Sequence, residues 1–184
     1  MMTHSNPAEL AALAAVGADH WIETLDDGSH VLIRPLRSED RERERLFLER
    51  LSPMTRKFRF HGEVKIDDKL LDRLMDVDYQ RTMAFIALTH VDGELREVGI
   101  SRYAAVDGQQ CECAVTIADE WKQLGLDVAL MRHLIDVAKR NGFSQMYSID
   151  SSMDRDMRDM SRELGFRAQL DPEDACQVVR RLAL

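Results

Sequence analysis

Residues 111–142 read CECAVTIADEWKQLGLDVALMRHLIDVAKRNG, and the period of the apolar positions changes within this stretch. From Cys111 to Ala118 it is two: Cys111, Cys113, Val115 and Ile117 share one face, and Glu112, Ala114, Thr116 and Ala118 share the other, as in a strand. After Trp121 it becomes helical. Leu126, Leu130, Leu134, Val137 and Ala138 form one stripe, which Asn141-Gly142 stops. A strand, a short linker and a helix in this order set a helix N-terminus beside a strand end. Such a junction binds anions, because the N–H groups of a first helical turn have no intrahelical partners and carry a partial positive charge. Gly125 in the linker would let backbone approach a ligand closely. The same pattern also serves as plain connection, so the junction alone does not decide between the two readings.

Working outward, TMAFIALTHV (82–91), EVGISRYAAV (97–106) and CECAVTIA (111–118) are rich in β-favouring residues and separated by Asp92-Gly93 and Asp107-Gly108, which predicts a three-strand meander. Upstream, WIETL (21–25) and VLIRPL (31–36) flank DDGSH and read as two short strands joined by an Asp-Gly turn. Ser38-Glu39-Asp40 offers N-cap chemistry for a charged helix ending near Arg50. Ser52-Pro53 starts a second helix towards Phe60, and a third follows Asp67 with Leu70, Leu71, Leu74 and Met75 at helical spacing. Downstream, FSQMYSI (143–149) is a strand, a helix runs from about Asp154 to Leu164 and stops at Gly165, and CQVVRRLAL (176–184) is the last strand. Residues 1–20 are Ala-rich with only a narrow apolar stripe and read as a mobile N-terminal arm, so residues 21–184 form the single folded domain.

The bulk properties bound the function. A length of 184 residues suits one domain with a real core. The net charge of −8, from 33 acidic and 25 basic residues, repels nucleic-acid phosphate and anionic membrane surfaces and favours basic or neutral partners. Three cysteines without a CxxC pair suggest neither a disulfide framework nor a zinc site, and a reducing cytoplasm is the simplest home. No apolar run approaches the length of a membrane span, and the N-terminus lacks the basic-then-apolar pattern of a secretory signal.

The order of elements from Trp21 to the C-terminus resembles the GNAT superfamily of N-acetyltransferases, and most nearly the acetyltransferase domain of bacterial protein-lysine acetyltransferases. The segments that carry the resemblance are DGSHVLIRPLRSED (27–40), LSPMTRKFRF (51–60), the quoted 111–142 stretch and MRDMSRELGF (157–166). The acyl-CoA-synthetase-like region often fused to that domain is absent from this sequence. The fold implied is α+β: a mixed, mostly antiparallel twisted sheet with helices on both faces. The family's fourth and fifth strands splay apart, and acetyl-CoA enters that gap. Its pantetheine arm pairs with backbone at Val115, Thr116 and Ile117, and its pyrophosphate meets the turn made by Gln123, Leu124, Gly125, Leu126, Asp127 and Val128.

The family's pyrophosphate loop reads Gln or Arg, two residues, Gly, one residue, then Gly or Ala, and falls here on Lys122, Gly125 and Asp127. Only the central glycine is kept. Lys122 can meet phosphate by charge, whereas Asp127 puts a carboxylate where the family has almost no side chain. That carboxylate either repels pyrophosphate and takes the free N–H groups for itself, or turns to solvent as an ordinary first-turn residue. Asp154, near the expected coenzyme, stands where the family often has Asn. The resemblance also implies a general base at Glu112, which matches the glutamate of family segments such as AEFAV, because a protonated amine must lose its proton before it attacks a thioester. Read without the resemblance, Glu112 is an exposed strand carboxylate. The tyrosine that protonates the departing thiolate in several relatives is matched by Ser161.

Other residues carry no chemistry of their own. His30, His61, His90 and His133 lack ligand spacing and no metal is implied; Cys111, Cys113, Met153, Met157 and Met160 read as core; the RERER run of 41–45 reads as a solvated helix face. The function expected is acetyl transfer from acetyl-CoA directly to a primary amine, with a protein lysine among the acceptors, by a monomer or homodimer. The rival is a catalytically weakened acyl-CoA-binding sensor or interaction module.

Overall fold

The computed structural model describes Pro7 and residues 19–184. Most of the expected N-terminal arm lies outside the described residues. The strands are β1 (Trp21–Thr24), β2 (His30–Pro35), β3 (Thr82–Val91), β4 (Glu94–Ala105), β5 (Gln110–Ile117), β6 (Gln145–Ser151), β7 (Arg167–Leu170) and β8 (Gln177–Ala183). The helices are α1 (Arg41–Arg50), α2 (Pro53–Phe60), α3 (Asp68–Met75), α4 (Leu126–Arg140) and α5 (Arg155–Glu163), with short 3₁₀ turns at Ser38–Asp40 and Asp119–Trp121. The sheet has eight strands in the order β1-β2-β3-β4-β5-β6-β8-β7. Every pair is antiparallel except β5 with β6, so the mixed, mostly antiparallel α+β sheet expected from the sequence is found.

Alternation along β4 assigns the layers. Gly99 and Ser101 face α4: a Cβ on Gly99 would lie 2.9 Å from Ile117 and 3.1 Å from Leu130, and the Ser101 hydroxyl donates to the Leu130 carbonyl. Arg102, one residue on, points to the opposite face and donates to the Leu74 carbonyl of α3 at 2.7 Å. The sheet is thus covered on both sides. Its core is continuous, with Phe85, Ile86, Leu88, Leu126, Leu130 and Leu134 all essentially buried. The missing Cβ at Gly99 lets α4 sit close, which fixes where that helix begins.

Local capping follows the sequence in two places and departs from it in a third. The Ser52 hydroxyl accepts the Thr55 N–H at the start of α2, and Asp67 accepts the Leu70 N–H at the start of α3. Asp40 instead turns inward, fully buried, to accept two bonds from Arg34 at 2.7 and 2.8 Å, one from the Arg37 N–H, and one from Arg43. A buried guanidinium needs a carboxylate more than an exposed helix end needs a cap. Glu44, in the RERER run expected to face solvent, is also buried, on one stripe with Phe47 and Leu48. Met157 and Met160 are core as expected, but Met153 is 79% exposed because it precedes α5 in an open turn. Strand β7 was not foreseen.

Candidate functional site

Strand β5 pairs with β4 along its whole length, from Ala105↔Cys111 to Gly99↔Ile117. Its pairing with β6 covers only Gln110↔Gln145, Cys111↔Met146 and Glu112↔Tyr147. Beyond Glu112 the two strands diverge, and on the side away from β4 the edge of β5 from Cys113 to Ile117 has no strand partner among the described residues. In this chain's own count the splayed pair is the fifth and sixth, because the β1–β2 hairpin adds a strand before the meander. The divergence opens a groove of about 380 Å³, within the range of small-molecule sites. Its walls are β5 from Glu112 to Ile117, α2, the loop before α4, the end of β6 and the length of α5.

Two sets of hydrogen bonds hold the loop before α4. The Asp26 N–H of the β1–β2 turn donates to the Leu124 carbonyl at 3.1 Å. Asp119 receives the Ser52 N–H, the Ser52 hydroxyl and the Thr55 hydroxyl, tying the first turn of α2 to the loop. Burial works to raise the Asp119 carboxyl, but these donors and Lys122 hold it down to about 2. Lys122 donates to the Thr55 hydroxyl at 2.7 Å and lies 3.2 Å from Asp119 and 3.9 Å from Asp156, so its ammonium is already engaged. Gln123 and Gly125 adopt positive φ of 60° and 79°, the second of which only glycine takes without strain. Leu126 points into the core at 1% exposure, leaving backbone towards the groove.

At the start of α4 the Asp127 carboxylate accepts the Val128 N–H at 2.9 Å. Of its two expected behaviours, the structure shows the first-turn cap: the side chain occupies a donor that an anion would need, and it lines the groove rather than turning to solvent. Burial raises its pKa against the pull of that N–H. Asp154 caps α5 by accepting the Met157 N–H at 3.0 Å, and burial raises it too. Together with Asp156, Asp159 and Glu163 of α5 they make this end of the groove strongly acidic. The Ser161 hydroxyl is buried and donates back to the Arg158 carbonyl, so it does not stand in for a proton donor.

At the other end Glu112 is exposed in the groove, on the face of β5 that α2 covers. Tyr147 lies beside it in register, and its phenol is raised first by burial and then by the Glu112 charge. Val115 and Ile117 line the groove with Thr116, whose hydroxyl is buried without a partner. Sequence reading missed two groups here. Arg59 of α2 lines the wall near Glu112; its signal was its place four residues after Thr55 on one helical stripe. Asp150 of β6 accepts the Ser148 hydroxyl at 2.5 Å and lies 3.4 Å from Arg180 Nε, and burial still pushes its carboxyl up to about 6. Cys111 and Cys113 are buried on the α4 side, with burial pushing the Cys111 thiol up to about 12, so neither is poised as a nucleophile. His133 stacks on Trp21 at 3.8 Å and pairs with Glu23, outside the groove. Among the described residues no group of His, Cys, Asp or Glu is arranged to hold a metal, and no helix is long and apolar enough to cross a membrane.

This arrangement matches known proteins. No family model matches the chain. It is 65% identical over 186 aligned residues, spanning all of both chains, to the Pseudomonas aeruginosa protein named Acetyltransferase PA5475. Among solved structures, the GNAT domain of S. lividans PAT superposes with a TM-score of 0.80 at 19% identity, covering 98% of this chain and 100% of that one. A cAMP-binding acyltransferase from Mycobacterium smegmatis gives 0.62 at 20% identity, with 96% of this chain on 49% of that one. The structural likenesses establish the fold, and the full-length relative establishes the activity class: the chain belongs to the GNAT superfamily of acetyltransferases.

Proposed function

We propose that the protein transfers the acetyl group of acetyl-CoA directly to a primary amine, a class that includes protein lysine, with Glu112 as general base. The observation that carries this reading is the unpaired edge of β5 from Cys113 to Ile117 beginning beside Glu112. An extended chain with amide groups can complete that edge as a missing strand would, and the pantetheine arm is such a chain. Backbone at Val115 and Ile117 and the partnerless Thr116 hydroxyl supply the polar contacts. A thioester held there supplies an activated carbonyl. Glu112 takes one proton from the incoming ammonium, the amine lone pair attacks the thioester carbonyl, and the C–S bond breaks as the second amine proton passes to the departing sulfur, leaving the neutral amide and free thiol. No covalent enzyme intermediate is needed, since the Cys111 and Cys113 thiols are buried on the α4 side and burial raises both above the ordinary thiol range.

The diphosphate end fits less well. The turn from Gln123 to Val128 carries positive φ at Gln123 and Gly125, but Asp127 holds the Val128 N–H and Lys122 is engaged with Thr55 and Asp119. A second reading, a coenzyme-binding module with weakened catalysis, is favoured by this one feature. Incubating the protein with labelled acetyl-CoA and a panel of proteins, polyamines, amino acids and aminoglycosides separates the two. Labelled product with stoichiometric free thiol is expected. Coenzyme binding without transfer to any amine establishes the module instead.

A further inference from the structure

The wall of the groove around Glu112 holds a cation without a partner. Arg59 makes no hydrogen bond or ion pair with any described residue; its guanidinium lies over the Phe60 ring, 5.0 Å from the centroid. Lys122, the other cation of the wall, is tied down by Thr55 and Asp119. The charges that act on Arg59 are Arg102, Glu44 and Glu112. Arg102 is held behind it by the Leu74 carbonyl, and Glu44 is buried. Burial and the charge of Glu44 beside it raise the Glu97 carboxyl well above its ordinary value. Asp40, further in, is taken up by Arg34 and Arg43. Glu112 is therefore the groove-facing carboxylate that acts on Arg59, and each proton Glu112 accepts removes that negative charge.

Arg59 is left to meet an anion belonging to the ligand, and its place on the wall points to the source. It shares that wall with Glu112, the carboxylate whose charge acts on it and towards which the acceptor amine must turn. An anion carried by the acceptor is brought to Arg59 by the same approach that brings the amine to Glu112. We propose, resting on the N-acetyltransferase reading above, that the acceptor is a primary amine that carries a carboxylate, in its simplest form a free α-amino acid. The Arg59 fork holds the carboxylate while the amine faces Glu112. The groove's surplus of carboxylates suits the ammonium half of such a zwitterion, and Arg59 is the counterpart of the other half.

The experiment compares kcat/KM for acetylation of amino acids, their amides and the corresponding decarboxylated amines by wild type, Arg59→Met and Arg59→Lys, with thermal melts to show that each variant is folded. Wild type is expected to favour amino acids over amides by at least about tenfold. In Arg59→Met the preference collapses towards one, through a fall of about 100-fold for the amino acid, chiefly in KM, as expected for truncating one partner of a charge pair. Arg59→Lys, which keeps charge but not the fork, falls between and reads the same ratio if the Met variant is unstable. Amides or diamines acetylated as well as amino acids by wild type would overturn the proposal while leaving the N-acetyltransferase reading intact. Absence of transfer to every amine, with the thioester conserved, overturns both.

Discussion

Removing the charge of Asp127 should tighten acetyl-CoA binding, and the hydrogen bond that its carboxylate accepts sets the choice of variant. Asparagine keeps an oxygen to accept the Val128 N–H and removes only the charge, whereas glycine removes the cap as well. A carboxylate about 6 Å from a phosphate charge, at an effective dielectric of about 20, is opposed by about 3 kcal/mol. The groove is open and the Debye length near 8 Å, so about 1–2 kcal/mol survives, a gain in affinity of about 5- to 30-fold. Asp127→Gly should gain similarly in affinity but lose about 1–3 kcal/mol of stability from the missing cap and the helical glycine. Calorimetric titration with acetyl-CoA, alongside a short acetyl thioester lacking the diphosphate, isolates the electrostatic part. Because burial raises the Asp127 pKa, wild-type affinity should also increase as the pH falls and the carboxylate is neutralised, and the Asn variant should lose part of that dependence. Unchanged or weaker acetyl-CoA affinity in Asp127→Asn, or an equal gain for the short thioester, would refute the reasoning.

Three further outcomes concern the frame around the groove. Gly99→Val should destabilise the protein by about 1–3 kcal/mol in denaturant titrations, since even a Cβ there meets Ile117 at 2.9 Å, and should weaken coenzyme binding by displacing α4. Asp40→Asn should cost about 3–5 kcal/mol by leaving buried Arg34 without its carboxylate. Asp150 is pushed up to about 6, so the stability its neutral form gives is complete below the unfolded pKa and is lost as pH rises through 6. Asp150→Asn should therefore be more stable than wild type at pH 7.5 by up to about 3 kcal/mol, at 1.36 kcal/mol per pH unit, with the difference vanishing below about pH 4.

Much of this was legible in the residues, and what was not has physical reasons. Period two from Cys111 and period 3.6 from Leu126 are strong because each element has a fully buried face, and they fixed the strand, the helix and the side on which Glu112 lies. Strand β7 left no such trace: Arg167, Ala168, Gln169 and Leu170 are all exposed at the sheet edge, held only by β8. The splay of β5 from β6 could come only from family resemblance, because it concerns two strands brought together across an intervening helix. Asp127 could not be settled from sequence, since a carboxylate in a first helical turn satisfies the same local rule whether it turns to solvent or to its own backbone. Arg59 and Glu44 were hidden by their charge: both sit on inward stripes of helices whose composition suggests a solvated surface.

The central claim is that Glu112, at the mouth of the β5–β6 gap, removes the amine proton during acetyl transfer. The pH–rate profile of Glu112→Gln against wild type, with acetyl-CoA affinity measured in parallel, tests it most directly. The account predicts a fall of about 10²- to 10⁴-fold in kcat at neutral pH, partial recovery at high pH where the amine deprotonates unaided, and little change in coenzyme affinity. Wild-type turnover across the whole pH range in the variant would contradict it.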